Sequence, residues 1–544
     1  MSKNNLLVIG MAVFVLVSCS SVFFADDLID VKPGHKHLFL DDFAVQEISG
    51  LTRTMHQPEK RGAVLKPDIL SDGCRVQVYG TSPMWDEKET VYKLVYQAYP
   101  MDNFDEIGAA LAISKDGIHW EKPNFGQEVL IRGSVENNRI YVEKERRWGA
   151  NALMNVIYDP DDPDPSRRYK GLLGSVGRCP VVSADAITWR KLDVPLIPSS
   201  DTSSLMYDRP RKRYVMFGKT GNRFGRAAAI SISEDFENWS KPVLCFGADE
   251  EDQKLAKEKI RKRLADPGLA RPLFVEPDPA TGWKPPEGVD SLPTWRAECY
   301  HFTAFPYADV YVGLVMMYYP TATKLPEQNN TDGFDEIQLV MNRDLKSWDH
   351  LGQREAFIPT SRIDNGLVGV FDRQQITAPG APLVKGDELW FYYTGMKTRI
   401  PMYSRNKDGS PRDPKTLTTE EKADLKDGWS AICLAVLRLD GFISLDARDA
   451  VGYVLTKPFK ATGAQLFVNI DAGKKGSAQV ELLDQDGQVL PGFARDDAVT
   501  IKGDGVRQQV VWQTGSYWGL LNGETIQLKI YLKNKASLYA FWAE

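Results

Sequence analysis

The chain has 544 residues, too many for one ordinary core, and its length points to two or three domains. Hydrophobic residues make up 43% and charged residues 26%, which excludes a disordered chain. The net charge of −6 excludes a nucleic-acid partner, whose phosphates call for a basic face.

Lys3 precedes the apolar run Leu6 to Val17, followed by Ser18-Cys19-Ser20. The run is short for a membrane span and has the proportions of a signal peptide. Leu16-Val17-Ser18-Cys19 matches a bacterial lipobox, in which the cysteine is lipidated and becomes the mature N-terminus. Residues 1–25 are therefore read as a lipoprotein signal with Cys19 as the lipidated residue; an ordinary signal cut near Ala25 is the alternative. Either reading exports the protein, as a cell-envelope lipoprotein of the periplasm or outer membrane or as a secreted chain. Membrane contact is expected through the lipid anchor alone. Cys74, Cys179, Cys245, Cys299 and Cys433 are odd in number, far apart and without a CxxC, a pattern of small buried hydrophobes rather than disulfides or zinc.

A repeat then organises the chain. Asp-x-x-x-Trp occurs at Asp116–Trp120, Asp185–Trp189, Asp235–Trp239 and Asp344–Trp348, and three copies follow a short apolar strand. The aspartate bonds its own backbone to make a turn and the tryptophan opens the next strand. These four aspartates are read as structural. Upstream of each copy comes a strand, a turn and an aromatic-rich strand, as in Ser204–Asp208 with Tyr214–Phe217. Four-stranded units follow over 70–125, 150–195, 200–245, 298–352 and 372–445, the last with Leu439-Asp440-Gly441-Phe442 in place of the Asp-turn. Residues 34–60 are expected to supply a strand that closes the ring.

Two insertions, 248–295 and 397–429, interrupt the rhythm; the first opens with a charged helical run. From Val451 onward, short alternating strands read as a β-sandwich. The expected fold is all-β: a five-bladed β-propeller over 30–450, followed by a C-terminal β-sandwich over 451–544.

No HExxH, GxSxG, P-loop or dinucleotide fingerprint is present, and histidines number six. Carboxylates just before an innermost strand are therefore the candidates. Asp41 and Asp42 lie in Leu38-Phe-Leu-Asp-Asp-Phe43, Asp201 opens the third unit, Glu298 the fourth and Asp372 the fifth. Asp42, Asp201, Glu298 and Asp372 are the catalytic candidates. Asp41, Trp148, Asn151, Arg296, His301 and Arg373 are candidate substrate contacts, through hydrogen bonds, charge or stacking, with His56 a weaker one. Cleaving a glycosidic bond takes one protonated and one ionised carboxyl group, which carboxylates from separate blades can supply.

Five units, Ser114-Lys-Asp-Gly-Ile-His-Trp120 and a trailing sandwich resemble the glycoside hydrolase family 32 and 43 superfamily, above all its family-32-like secreted bacterial members. Leu38–Phe43, Leu51–Glu59 and Leu439–Leu445 carry the likeness, which spans nearly the whole mature chain. The resemblance implies a glycoside hydrolase with Asp42 (or Asp41) as nucleophile or base, Asp201 as a tuning residue and Glu298 as acid; Ala297-Glu298-Cys299 is similar to the family-32 Glu-Cys motif. The family-32 Trp-x-Asn-Asp-Pro-Asn motif is absent, so fructan specificity is not implied. The alternatives are a non-catalytic carbohydrate-binding propeller and a glycan lyase, for which Tyr300 and His301 beside Arg296 would matter. The expected partner is a carbohydrate, and the charge balance leaves room for an anionic glycan held by a few arginines. No cofactor is implied, a central metal ion has no ligand motif, and no oligomerisation signal stands out.

Overall fold

Apolar and polar residues alternate with closely spaced turns, and this pattern builds strands through most of the chain. The computed structural model describes residues 28–100, 106–126, 130–142, 152–278, 294–322, 332–399, 414–513 and 517–544. Among these, two α-helices accompany the strands, α1 (Glu250–Ala265) and α2 (Thr419–Lys426).

The first unit is a four-stranded antiparallel sheet of Arg75–Gln77, Met84–Asp86, Val91–Tyr99 and Gly108–Ser114. The next two share a nine-stranded sheet. Its first part runs Leu153–Tyr158, Tyr169–Leu173, Val176–Ser183, Thr188–Lys191, with Tyr141–Val142 at the edge; its second runs Ile197–Asp208, Arg213–Asn222, Gly225–Ser233, Val243–Gly247. The fourth sheet orders Glu298–Tyr307, Val310–Pro320 and Gly333–Asn342, with Asp349–His350 and Ala356–Ile358 on its outer strand. The fifth places Gln375–Ile376 and Leu383–Lys385 against Glu388–Met396, then Ser430–Arg438, and is completed by the early strand Glu59–Leu65.

The Asp-turns take the expected form. Asp116 Oδ1 accepts from the N–H groups of Ile118 and His119, each at 2.8 Å, and the Trp120 indole donates to the Gly117 carbonyl at 3.1 Å. Asp185 with Trp189 and Asp235 with Trp239 repeat this arrangement. Each such bond contributes about 1 kcal/mol net, so the aspartates act as turn supports.

Hydrogen bonds close a circuit through the innermost segments of all five units. The Asn155 amide donates to the Tyr79 carbonyl at 2.7 Å and to the Ser203 carbonyl at 2.6 Å. Ser204 donates to Phe302 at 2.7 Å, Thr303 to Pro379 at 2.6 Å, and Thr377 back to Val78 at 2.9 Å. Gly80 sits where these segments meet. A Cβ there would lie 2.9 Å from both Ser204 Cβ and Thr303 Cγ2, and its φ is +70°, so only glycine fits.

Two further sheets bury one core between them. One contains Leu51–Met55, Ile443–Ala447, Ser537–Ala543, Leu466–Asp471 and Asp504–Gln509; the other Val45–Ser49, Gly452–Thr456, Thr525–Lys533, Phe459–Lys460 and Ser477–Asp484. Val468, Ile470 and Phe541 of the first meet Val480, Leu528 and Ile530 of the second in one buried cluster.

The strand assignments depart from the expected boundaries. Glu59–Leu65 completes the fifth sheet, whereas His37–Leu38, Val45–Ser49 and Leu51–Met55 pair into the C-terminal sheets. Those sheets also begin at Ile443, ahead of residue 451. The early strands are short and half-exposed, and their partners lie some 400 residues away, so local patterning could not allot them. Asp440 joins the two parts: it accepts from Lys36 at 2.6 Å, the Tyr307 hydroxyl at 2.6 Å and the Asn469 amide at 2.8 Å.

Candidate functional site

The innermost strands run in one direction, so their N-terminal ends share one mouth of the hub. The opposite end opens on a cavity of about 360 Å³ lined by Met84, Ile157, Tyr207, Pro306 and Leu383 among others, with no carboxylate among its described lining residues. The titratable groups gather at the N-terminal mouth.

Asp201 stands there with φ +52°, a left-handed conformation unusual for aspartate. Its side chain is 55% exposed and pairs with Lys219, while the Arg178 guanidinium donates to its backbone carbonyl at 2.5 Å. Burial of its surroundings pushes the carboxyl pKa up, but Lys219, with Arg226 and Arg178, outweighs this and holds it below the usual aspartate value. Asp201 is thus an ionised carboxylate facing the mouth.

Glu298 is buried and clamped between two arginines. Arg226 donates to Oε2 at 2.6 Å and Arg296 Nε to Oε1 at 2.6 Å. Burial favours the neutral form, yet Arg226 and Arg296 prevail and its pKa is lowered. A proton donor needs the opposite, so the expected role of Glu298 as acid does not fit this geometry. It fixes the two guanidinium groups instead.

The third carboxylate is Asp335, on strand Gly333–Asn342, which the sequence reasoning passed over. It is fully buried, and neither carboxylate oxygen has a hydrogen-bond partner among the described residues. Burial pushes its pKa up to about 7, against the pull of Arg399, Arg226 and Lys219. Arg226 and Lys219 therefore act on both Asp201 and Asp335, and Arg226 on Glu298 as well. The residue had a signal: alternation along its strand puts Asp335 in phase with the buried Ile337, Leu339 and Met341, an acid on a core face.

Two phenol rings complete the cluster. Lys219 Nζ lies 3.7 Å from the Tyr300 centroid, with the Arg226 and Arg399 guanidinium groups each at 5.1 Å. Arg399 also covers Tyr318 at 4.2 Å. Across the mouth, Arg75 packs over Tyr99 at 4.4 Å and Trp429 at 4.8 Å. The charges of Arg75 and Asp201 both act on Tyr79 and Tyr99, which ties the first unit to the third.

The other expected residues lie elsewhere. Asp42 is 73% exposed and bonds Arg53 at 2.7 Å; Asp41 bonds Arg343, which also holds Asp309. Asp309 forms the turn after Glu298–Tyr307, so Asp41 and Asp42 lie at the far end of that strand, roughly 30 Å from Glu298. Asp372 is buried against Lys60 at 2.7 Å and the Tyr393 hydroxyl at 2.8 Å. Arg373 is buried against Asp424 of α2 at 2.7 Å. His301 is buried; its Nε2 donates to the Ser203 carbonyl at 3.1 Å, and burial lowers its pKa to about 3. Asp372, Arg373 and His301 serve internal contacts, because a polar residue at a strand start can bridge neighbouring segments as well as line a pocket. His56 bonds Ser444 at 2.7 Å, in the C-terminal sheets. Arg296 is at the mouth as expected. Trp148, Asn151 and Cys19 lie outside the described residues.

Asp249, Asp252 and His350 come within metal-ligand distance of one another. Arg354 already occupies that charge, with two 2.8 Å bonds to Asp249 and an ion pair to Asp252 at 2.7 Å, and both aspartates cap α1.

The all-β chain, with its several antiparallel sheets, is similar to solved glycoside hydrolases of families 32, 43 and 130 and to others of that class. Among them are a family 43 arabinoxylan arabinofuranohydrolase from Bacillus subtilis (8% identity, 88% of this chain and 99% of that one, TM-score 0.32) and a family 32 β-fructofuranosidase from Bombyx mori (10%, 90% and 94%, 0.35). An N-acetylgalactosamine deacetylase from F. plautii is also similar (13%, 76% and 96%, 0.37). No family model matches the chain, and no curated protein does.

Proposed function

We propose that this chain is an exported glycoside hydrolase working at the N-terminal mouth of a five-bladed β-propeller, with a C-terminal β-sandwich behind it. The observation that carries the reading is a pair of carboxyl groups beside the same cations yet in opposite charge states: burial keeps the proton on Asp335 to about pH 7 against the pull of Arg226 and Lys219, and Lys219 holds Asp201 ionised. Asp335 gives its proton to the glycosidic oxygen as the bond to the anomeric carbon breaks. Asp201 acts at that carbon, as nucleophile or as base toward water. Asp335 is closed off from solvent, so the sugar must displace the side chains over it. Glu298 positions Arg226 and Arg296. Cys19 anchors the exported chain through a lipid.

Asp201→Asn and Asp335→Asn, each checked for unchanged thermal unfolding, test the assignment against a panel of oligosaccharides. Each is expected to lose about 10²–10⁴-fold in turnover. Retention of wild-type turnover by either variant rules out that residue's role. Metabolic labelling with a fatty acid, with and without Cys19→Ala, tests the anchor.

A lyase is the second reading, favoured by Tyr300 among Lys219, Arg226 and Arg399. A lyase pairs a tyrosine base with cations that neutralise a uronate carboxyl. Its unsaturated product absorbs in the ultraviolet, and hydrolysis gives none.

A further inference from the structure

The seam between the first and fifth units differs from its counterparts at one position of the Asp-turn. The residue after the turn aspartate is Ala186, Phe236 or Leu345 in three copies, and each of these side chains is buried in the core beneath its turn. The first copy has Gly117 there. A Cβ on it would lie 2.7 Å from the Tyr392 hydroxyl oxygen and 3.5 Å from Trp390 Cζ3, so the glycine lets rings of the fifth unit reach the turn. Tyr392 donates to the Gly117 carbonyl at 2.8 Å.

Beside this contact lies a groove of about 670 Å³, lined by Trp120, Trp390, Arg61, His119 and Glu388 among others. Ligand clefts typically measure about 300–1,000 Å³. Both indole N–H groups are satisfied within the protein, that of Trp120 by the Gly117 carbonyl at 3.1 Å and that of Trp390 by Glu388 at 2.7 Å. The half-buried rings therefore offer apolar surface rather than donors. A strip of rings continues beyond the groove. Lys385 Nζ lies 5.5 Å from the Trp390 centroid and 5.0 Å from that of Tyr92, and Tyr92 packs at 4.8 Å against Trp85, which is 40% exposed.

Charge and edge geometry select the occupant. Arg61, Lys385 and Glu388 interleave with the rings, whereas the core of a protein–protein interface is depleted of charge. The outer strand of the fifth sheet, Glu59–Leu65, carries Glu59, Lys60 and Arg61 and two register shifts against Ser430–Arg438, features that oppose pairing with a strand of another chain. Flat rings flanked by hydrogen-bonding side chains match a sugar, which has an apolar C–H face and a rim of hydroxyls. The groove is remote from the mouth. Trp390 is six residues along its strand from Met396, which pairs with Gln375 of the innermost strand, a separation of roughly 20 Å.

We infer that this groove is a second carbohydrate site, holding a polysaccharide chain on Trp120 and Trp390, with Tyr92 and Trp85 extending the contact. A chain held there raises the effective concentration of sugar at the mouth. The inference rests on the reading of the protein as glycan-acting, but not on the reaction at the mouth or on the residues assigned to it.

The test runs the purified full chain through native gels cast with soluble xylan, arabinan, galactan, mannan, mixed-linkage glucan or homogalacturonan, and reads the retardation. At least one polymer is expected to slow the wild type. Trp390→Ala should weaken that binding about five-fold or more. Trp85→Ala, which removes an exposed ring and spares the core, should weaken it about two-fold and serves should Trp390→Ala not fold. Asp201→Asn should leave the retardation in place, because the groove does not use the mouth. Passage of the wild type unretarded through every gel, or retardation that both tryptophan variants preserve, overturns the inference. So does retardation lost in Asp201→Asn alone, which would assign the binding to the mouth. Sedimentation that shows a dimer in the wild type and a monomer in Trp85→Ala would make the groove an interface between copies and overturn it as well. Retardation without turnover of any polymer would sink the hydrolase reading alone; turnover without groove-dependent retardation would sink this inference alone.

Discussion

Glu298 rests against Gly225 so closely that a Cβ on Gly225 would lie 2.6 Å from the glutamate Cδ. Gly225 has φ +118°, and the next residue, Arg226, donates both its N–H and its guanidinium to the same carboxylate. The glutamate cannot swing aside without giving up these bonds and those to Arg296. Gly225→Ala should therefore cost about 1–3 kcal/mol of stability and loosen Arg226. Urea unfolding measures the first effect, and a raised KM for the glycan the second.

Asp335 gives the protein a distinctive pH response. The folded carboxyl holds its proton to about pH 7, whereas an unfolded aspartate releases it near 3.8. Between these values the folded state binds more protons, so this group's contribution to stability falls as pH rises and is lost above about 7. The full effect is at most about 4 kcal/mol. Asp335→Asn cannot ionise and should flatten the decline, so that variant and wild type converge in acid and diverge at pH 8. Denaturant unfolding at the two extremes reads this. If Asp335 is the acid, turnover by the wild type also falls above about pH 7.

Asp42 and Asp372 separate an exposed ion pair from a buried one. Asp42→Asn removes a surface contact with Arg53 and should leave turnover within two-fold and stability within about 0.5 kcal/mol. Asp372→Ala strands Lys60, whose remaining partners are the Ser361 hydroxyl and the Pro359 carbonyl, and should destabilise by up to about 3 kcal/mol. Thermal unfolding with parallel kinetics distinguishes the two.

His301 should stay neutral throughout the working range. Its pKa lies near 3, while an unfolded histidine takes up a proton near 6.5. The unfolded state then binds more protons in acid, so this residue costs stability as pH falls below 6.5. Its imidazole NMR signals should not shift between pH 8 and 5.

The strand plan was legible because its signals are local. The Asp-turns fix hairpins within seven residues, and the four units they mark fall in antiparallel sheets, the second and third joined in one. The strand Glu59–Leu65 and the early strands of the C-terminal sheets were misallotted because their partners are distant in sequence. In the site, Asp201, Glu298 and Arg296 could be read from their positions before inner strands. Asp41 and Asp42 misled because a doubled aspartate looks costly in an apolar strand, yet here it sits at an exposed turn bonded to Arg53 and Arg343. Asp335 and Lys219 lie on second and third strands, where the search for strand starts did not reach. Arg226 stands one residue after a tight turn and becomes functional only through Glu298, 72 residues on.

The most direct test of the account is the infrared spectrum of the wild-type chain minus that of Asp335→Asn, followed from pH 4 to pH 9. The account predicts a protonated-carboxyl band in the difference that persists through neutral pH and titrates near 7. A band that disappears near pH 4 would show an ordinary ionised aspartate and would remove the proton donor from the proposed reaction.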